Sequence, residues 1–252
     1  MKKIFSVLIL LTVISVFSQK VTIEPTIKVT YDSKLLLGEK NKQSQKFVLV
    51  GNSKDFYFAA GQNYLNDTKQ YIPSGIDTQA ISDYFEERLI RKDGITNIYV
   101  TAVEAKLRYQ EKIDLKWVLY SETKMINGIK CQMAATNKFG RRWIAYFSRD
   151  YPQSLGPYKF TGLPGLILEL YDTRDDYHFT VSKIEKHTKT FTFNLGEYKN
   201  LPKDKYLKAK YNMDFTMAAF DGIEGEDKRN LEKALEKLKI MHNNPLELKP
   251  LE

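Results

Sequence analysis

The sequence predicts an α+β fold: a mainly antiparallel, twisted or curved β-sheet meander with a mid-chain helix and C-terminal helices. Three observations predict it. Short β-branched and aromatic runs follow one another through the middle of the chain, joined by turn signals too tight to hold crossover helices. Aromatic residues form 13 % of the composition, with 16 Tyr and 14 Phe, a load that suits pleated sheets and argues against disorder. From Glu226 to His242 the apolar positions Leu231, Ala234, Leu235, Leu238 and Met241 fall on one helical stripe.

The chain opens with Met-Lys-Lys, an apolar run from Ile4 to Phe17 and small residues at Val16 and Ser18. That order is the pattern of a secretory signal peptide, and the run is too short for a comfortable membrane span. Residues 1–18 are therefore read as a leader, and 19–252 as a single β-rich domain whose segment 203–243 is helical. The expected location is exported: periplasm or cell envelope, or secreted, and not membrane-spanning after cleavage. Loss of Lys2 and Lys3 lowers the net charge from +8 to +6. The lysines are scattered among Asp and Glu with no basic stripe interleaved with stacking aromatics, so a nucleic-acid partner is not expected. Cys131 is the single cysteine, which leaves no internal disulfide and reads as a small buried hydrophobe on a strand.

Val21 to Tyr31 predicts a first strand, demoted to an edge or split in two by Pro25. Ser33 to Ser44 reads as mostly polar connection, and Lys46–Val50 with Asp55–Ala59 as a hairpin around Gly51-Asn52-Ser53. Ile81, Tyr84, Phe85 and Leu89 are spaced for a helix over 80–91. Strands over 97–103 and 105–113 follow. Asn127-Gly128, between two alternating runs, is the sequence's strongest hairpin signal and predicts a type I′ turn. Arg141–Ser148, Leu166–Tyr171, Tyr177–Ile184 and Thr188–Asn194 complete the predicted meander.

Between Ser148 and Leu166 lies a connection of seventeen residues, much longer than a usual hairpin loop. It contains Gly156, Pro157, Gly162, Leu163, Pro164 and Gly165, and runs into Leu166-Ile167. Pro164-Gly165 fits the centre of a type II turn, with Gly165 expected at positive φ. The glycines and prolines would make the loop shaped rather than floppy. Tyr151, Tyr158 and Phe160 are its candidate ligand-contacting residues, set against a plain structural cover over one end of the sheet.

The hexapeptide Gly162-Leu163-Pro164-Gly165-Leu166-Ile167 resembles the motif that names the GLPGLI family. Trp117, Ile126-Asn127-Gly128, Lys130-Cys131, Gly140-Arg141, Trp143, Ala145-Tyr146-Phe147 and Gly156-Pro157-Tyr158-Lys159-Phe160 stand in the order that family shows. Tyr146 stands where the family often has Trp, and Tyr151-Pro152 where it often has Ile-Pro. The resemblance covers Trp117 to Glu185. It implies an exported Bacteroidetes protein of the cell envelope with a β-rich fold and no established activity, and it carries over no catalytic residues.

Chemistry is thinly marked. His178, His187 and His242 could each serve as a base, but no G-x-S-x-G elbow accompanies them, so a hydrolase would need a dispersed site. Met125, Cys131 and Met133 offer soft ligands for Cu(I), although methionine on an apolar strand face is usually core filler. Asp172, Asp175 and Asp176 could hold Ca²⁺ or simply form a hairpin turn. Glu169 is the lone acid inside an apolar strand. No catalytic residue, metal or cofactor is assigned. The expected function is a non-enzymatic envelope protein that binds an apolar ligand, a peptide or an outer-membrane partner. A hydrolase is the alternative, and copper binding is a further one.

Overall fold

The computed structural model describes residues 20–70, 85–101 and 105–251. The leader and residues 80–84 of the helix expected over 80–91 lie outside the described residues. Among the described residues fourteen strands are formed: β1 (Lys20–Ile23), β2 (Ile27–Gly38), β3 (Asn41–Gly51), β4 (Phe56–Ala60), β5 (Arg88–Lys92), β6 (Ile95–Thr101), β7 (Lys106–Glu111), β8 (Val118–Ile126), β9 (Ile129–Lys138), β10 (Arg141–Ser148), β11 (Leu166–Asp172), β12 (Tyr177–Lys186), β13 (Phe191–Asn194) and β14 (Lys199–Asn200). Three helices accompany them: α1 (Gly61–Asp67), α2 (Lys203–Phe215) and α3 (Gly225–Met241).

Twelve strands make one twisted open sheet in the order β14-β7-β6-β5-β4-β3-β2-β12-β11-β10-β9-β8, antiparallel except for the short β14–β7 pair. This confirms the predicted class. Pro25 does divide the first strand, and β1 leaves the sheet to pair with β13 as a separate ribbon. The expected meander therefore ends at β12, whose other neighbour is β2. Residues 33–44, expected as connection, continue β2 and β3, because Leu35 and Leu37 reach the apolar core while Lys34 and Lys42 remain in water. Arg88–Lys92, expected as helix, is the strand β5, with Leu89 and Ile90 buried on opposite faces. A strand buried on both sides is continuously apolar, so its spacing is open to a helical misreading. The observed mid-chain helix is α1.

The two faces of the sheet have separate cores. The inner core holds Tyr31, Phe47, Phe58, Ile98, Tyr109, Trp143, Phe147 and Phe179. The outer core holds Val48, Val50, Tyr57, Ile90 and Tyr99, covered by the β1–β13 ribbon and by Tyr64 of α1. Arg141, at the start of β10, is buried and ties down the C-terminal segment. It pairs with Asp172 at 3.0 Å and Asp176 at 2.8 Å, and donates to the carbonyls of Pro245 and Leu246. Two of the three aspartates considered for calcium are thus committed to a guanidinium.

The hairpin between β8 and β9 turns at Asn127 (φ 50°) and Gly128 (φ 77°), both positive as a type I′ turn requires. A Cβ at Gly128 would meet nothing within 4 Å, so only backbone conformation opposes it. Gly128→Ala should therefore lower stability by about 1–2 kcal/mol, read as a shift of the urea midpoint. No shift would mean the turn relaxes freely.

Candidate functional site

The long loop between β10 and β11 lies on the inner face. Leu155, Tyr158, Phe160 and Leu163 are buried in the inner core, and Tyr151 is half-buried. The Phe160 ring lies 4.6 Å from Trp143 on β10, and Trp117 Nε1–H donates to the Thr161 carbonyl at 2.9 Å. Its neighbour Lys159 donates to the Tyr109 hydroxyl on β7 at 2.9 Å. In the sheet order β7 and β10 stand eight positions apart, which in a flat sheet would be about 38 Å. One dipeptide cannot span that distance, so the sheet must curl around the loop.

Two of the three candidate contact residues, Tyr158 and Phe160, therefore point into the core rather than toward solvent. Withdrawing the loop would expose four large side chains, each worth roughly 1.5–3 kcal/mol. The total rivals the whole stability of a domain, about 5–15 kcal/mol. The segment is a core element and not a lid. The inner face, where an apolar ligand would be sought, is filled by the chain itself.

Lys159 sits in an ionic cluster beneath this cover. Its side chain is 0 % exposed and contacts the carboxylates of Glu111 (β7) and Glu247 near the C-terminus. Lys203, at the start of α2, reaches the same two carboxylates at 2.7 and 3.4 Å, and the Tyr158 hydroxyl donates to Glu247 at 2.7 Å. Burial works against the Lys159 charge, but Glu247 and Glu111 outweigh it and hold its pKa above the usual lysine value. Burial likewise opposes the Glu111 charge, yet Lys159 and Lys203 keep its carboxyl below the usual range. Four chain segments are joined here, all by groups that satisfy one another.

The outer face differs. Beyond the area covered by the β1–β13 ribbon, it presents polar side chains on β3, β2, β12 and β11. A depression of about 500 Å³ is lined by Asp32, Lys34, Ser44, Lys46, His178 and Thr180. A second, of about 510 Å³, continues it past Lys28 toward Tyr64 and shares Ser44 and Lys46. Alternation along each strand puts these residues on one side, and register sets Ser44 beside Lys34 and Lys34 beside His178.

His178 is held at both ring nitrogens. Nε2 lies 3.1 Å from Glu169 Oε1 and Nδ1 lies 2.8 Å from Asp175 Oδ1. A carboxylate only accepts, so it is the protonated ring, with a hydrogen on each nitrogen, that satisfies both partners. The bond to Glu169 outweighs burial, with Asp175 adding to it, and raises the His178 pKa above 6.5. Burial of Glu169 is in turn outweighed by His178 and Lys124, which hold its carboxyl below 4.5. With both nitrogens engaged, His178 offers none to a serine or thiol.

The sign of the pH dependence follows. The His178 contribution to stability is fully present below 6.5 and is lost as pH rises through the raised folded pKa. The Glu169 contribution is present above 4.5 and is lost as pH falls through the depressed one. Together they favour the window between those values. In His178→Gln, urea midpoints taken on either side of 6.5 should lose the alkaline decline of the wild type. An unchanged decline would place the titration elsewhere.

The sulfur ligands are not brought together. Cys131 lies opposite Lys124, and Met125 opposite Lys130, so Met125 and Cys131 face opposite sides of the hairpin. Met125 is 62 % exposed, while the Cys131 thiol is buried, donates to the Ile129 carbonyl and is pushed by burial up to about 11. The Met133 sulfur accepts from the Tyr146 hydroxyl. Among the described residues no group of three or more His, Cys, Asp and Glu is arranged to hold a metal ion.

Sequence reasoning noted Glu169 and His178 singly, but their pairing needs the β11–β12 register. It missed Lys159, Glu111 and Glu247 as a cluster. The available signal was a lysine between two aromatics, Tyr158 and Phe160.

No family model matches the chain, and no curated protein matches it in sequence. Among solved structures it is similar to PNGF-II in two crystal forms, with TM-scores of 0.55 and 0.56 at 12 % identity. The match covers 76 % of this chain and 34 % of that one, so this chain spans about a third of PNGF-II, and the likeness is one of fold. A LolA superfamily protein from Nitrosomonas europaea matches at a TM-score of 0.28 and 7 % identity over 75 % of this chain and 92 % of that one, too loosely to argue from. No helix among the described residues is long and apolar enough to cross a membrane.

Proposed function

We propose that the chain is a non-enzymatic, exported envelope protein of GLPGLI type that binds a peptide or protein partner through its polar outer face. The leader-like residues 1–18 support export, and the Gly162–Ile167 hexapeptide with Trp117, Trp143 and the Gly156–Phe160 run supports the family. One observation carries the choice of face. The inner face is packed with the chain's own loop, whereas the outer depression around Lys34, Lys46, Thr180 and His178 is open and lined by hydrogen-bonding groups. Such a lining suits the backbone and polar side chains of a polypeptide segment better than a lipid tail.

The test is affinity capture from envelope extract by the tagged protein without residues 1–18. Thr180→Arg, which fills the depression, should abolish enrichment of a specific partner. Glu232→Arg, on the exposed side of α3, should leave it intact. Equal enrichment by both variants would overturn the assignment to this face.

A further inference from the structure

We propose that the strap following α3, residues 242–251, fills a peptide-binding groove from within the chain. The groove's partner is an extended polypeptide segment in which an apolar residue precedes a carboxylate. The strap is gripped residue by residue, as a bound peptide is. The Asn244 amide donates to the Leu37 carbonyl at 2.9 Å, and its Nδ2 to the Leu36 carbonyl at 2.6 Å. Its Oδ1 accepts from Arg141 at 2.6 Å, and its carbonyl accepts from the Tyr177 hydroxyl at 2.5 Å. The Pro245 and Leu246 carbonyls accept from the same guanidinium, and the Leu246 side chain enters the inner core. Glu247 draws three donors: Lys159, Lys203 and the Tyr158 hydroxyl. The Leu248 amide donates to the Phe139 carbonyl at 2.9 Å.

What the strap leaves behind separates it from the loop before β11. The loop commits Leu155, Tyr158, Phe160 and Leu163 to the inner core, whereas among the described residues the strap commits Leu246, worth roughly 1.5–3 kcal/mol. Neither buried cation is stranded when the strap departs. Lys159 keeps Glu111 of β7, and Arg141 keeps Asp172 and Asp176. The other attachments are hydrogen bonds and ion contacts, which a partner segment with the same groups remakes one for one. Charge specifies the partner's acid. With Glu247 gone, Lys159 and Lys203 face Glu111 alone, while Glu87 is already balanced by Lys210 and bonded by Tyr206. Two cations against one carboxylate leave a seat for a second carboxylate, with the Tyr158 hydroxyl freed to donate to it.

The probe is a fluorescein-labelled peptide with the sequence of residues 243–249, Asn-Asn-Pro-Leu-Glu-Leu-Lys, added to the full chain. Saturable binding is expected to Glu247→Arg, whose own strap Lys159 and Lys203 repel. Binding to the wild type should be roughly a hundredfold weaker, because a tethered occupant competes at an effective concentration in the millimolar range. A peptide with glutamine for its glutamate should bind Glu247→Arg roughly tenfold more weakly, about one charge-assisted bond. If Glu247→Arg does not fold, amide hydrogen exchange of the wild type decides. Local opening of the strap should let the Asn244 and Leu248 amides exchange about tenfold or more faster than those of β10. No saturable binding to folded Glu247→Arg, indifference to the peptide's glutamate, or strap amides as slow as those of β10 overturns the groove. A wild-type dimer built by exchange of straps, seen by light scattering, would make the occupant a second copy and overturn the partner.

Discussion

Lys159→Ala is expected to lower the unfolding free energy by about 3–5 kcal/mol, the loss seen when one partner is removed from a buried ion pair. Lys159 is fully buried and contacts Glu111, Glu247 and the Tyr109 hydroxyl at once. Alanine would leave two carboxylates facing an apolar cover with only Lys203 to compensate them. The penalty comes from stranded charge, so removing the charges together should relieve it. Lys159→Met combined with Glu111→Gln and Glu247→Gln should recover most of the loss. The pH dependence has a definite sign. Lys159 helps depress the Glu111 pKa, a contribution present above 4.5 and lost as pH falls through the folded value. The deficit of Lys159→Ala should accordingly narrow in acid. Urea unfolding of the three proteins at two pH values decides it; a single variant as stable as wild type would show that water reaches the cluster.

Gly165→Ala should destabilise by about 3 kcal/mol, the upper end of the usual overpacking range. The sequence predicts a type II turn here with Gly165 at positive φ. The φ is positive, at 157°, while the Gly165 amide donates back to the Leu163 carbonyl and the Leu166 amide donates to the Tyr151 carbonyl. The glycine is required by proximity: a Cβ would stand 2.1 Å from the Ser148 carbonyl oxygen. Backbone cannot rotate aside as a side-chain end can. Gly162 provides the contrast. Its φ is 94°, and a Cβ there would meet only Trp117 at 3.9 Å, so Gly162→Ala should cost about 1–2 kcal/mol from conformation alone. Equal losses at the two positions would contradict this division.

Much of the fold was legible because it is local. Alternation in Ile129–Lys138, the Asn-Gly turn and the stripe in α3 each report on neighbouring residues, and each element formed where its pattern lies. The errors share a cause. Leu89-Ile90 is buried on both faces, because a distant ribbon, β1–β13, covers the outer side of the sheet. Residues 33–44 read as connection because polar members such as Lys34 and Ser44 face the open outer surface. The candidate site depended still more on distance in sequence. Lys34 and His178 stand 144 positions apart, and nothing local links them until β12 returns beside β2.

For the long loop, the sequence determined its length and the glycines that mark its corners, since these follow from residue types and backbone conformations alone. Only the tertiary structure decided which way Tyr158, Lys159 and Phe160 point. Curling of the sheet brings β7 and β10 to opposite sides of that tripeptide and makes it the centre of the inner core. The same curling commits the inner face to the chain itself and leaves the outer depression open. No short-range pattern encodes that choice, because it depends on strands far apart in sequence curling around one loop.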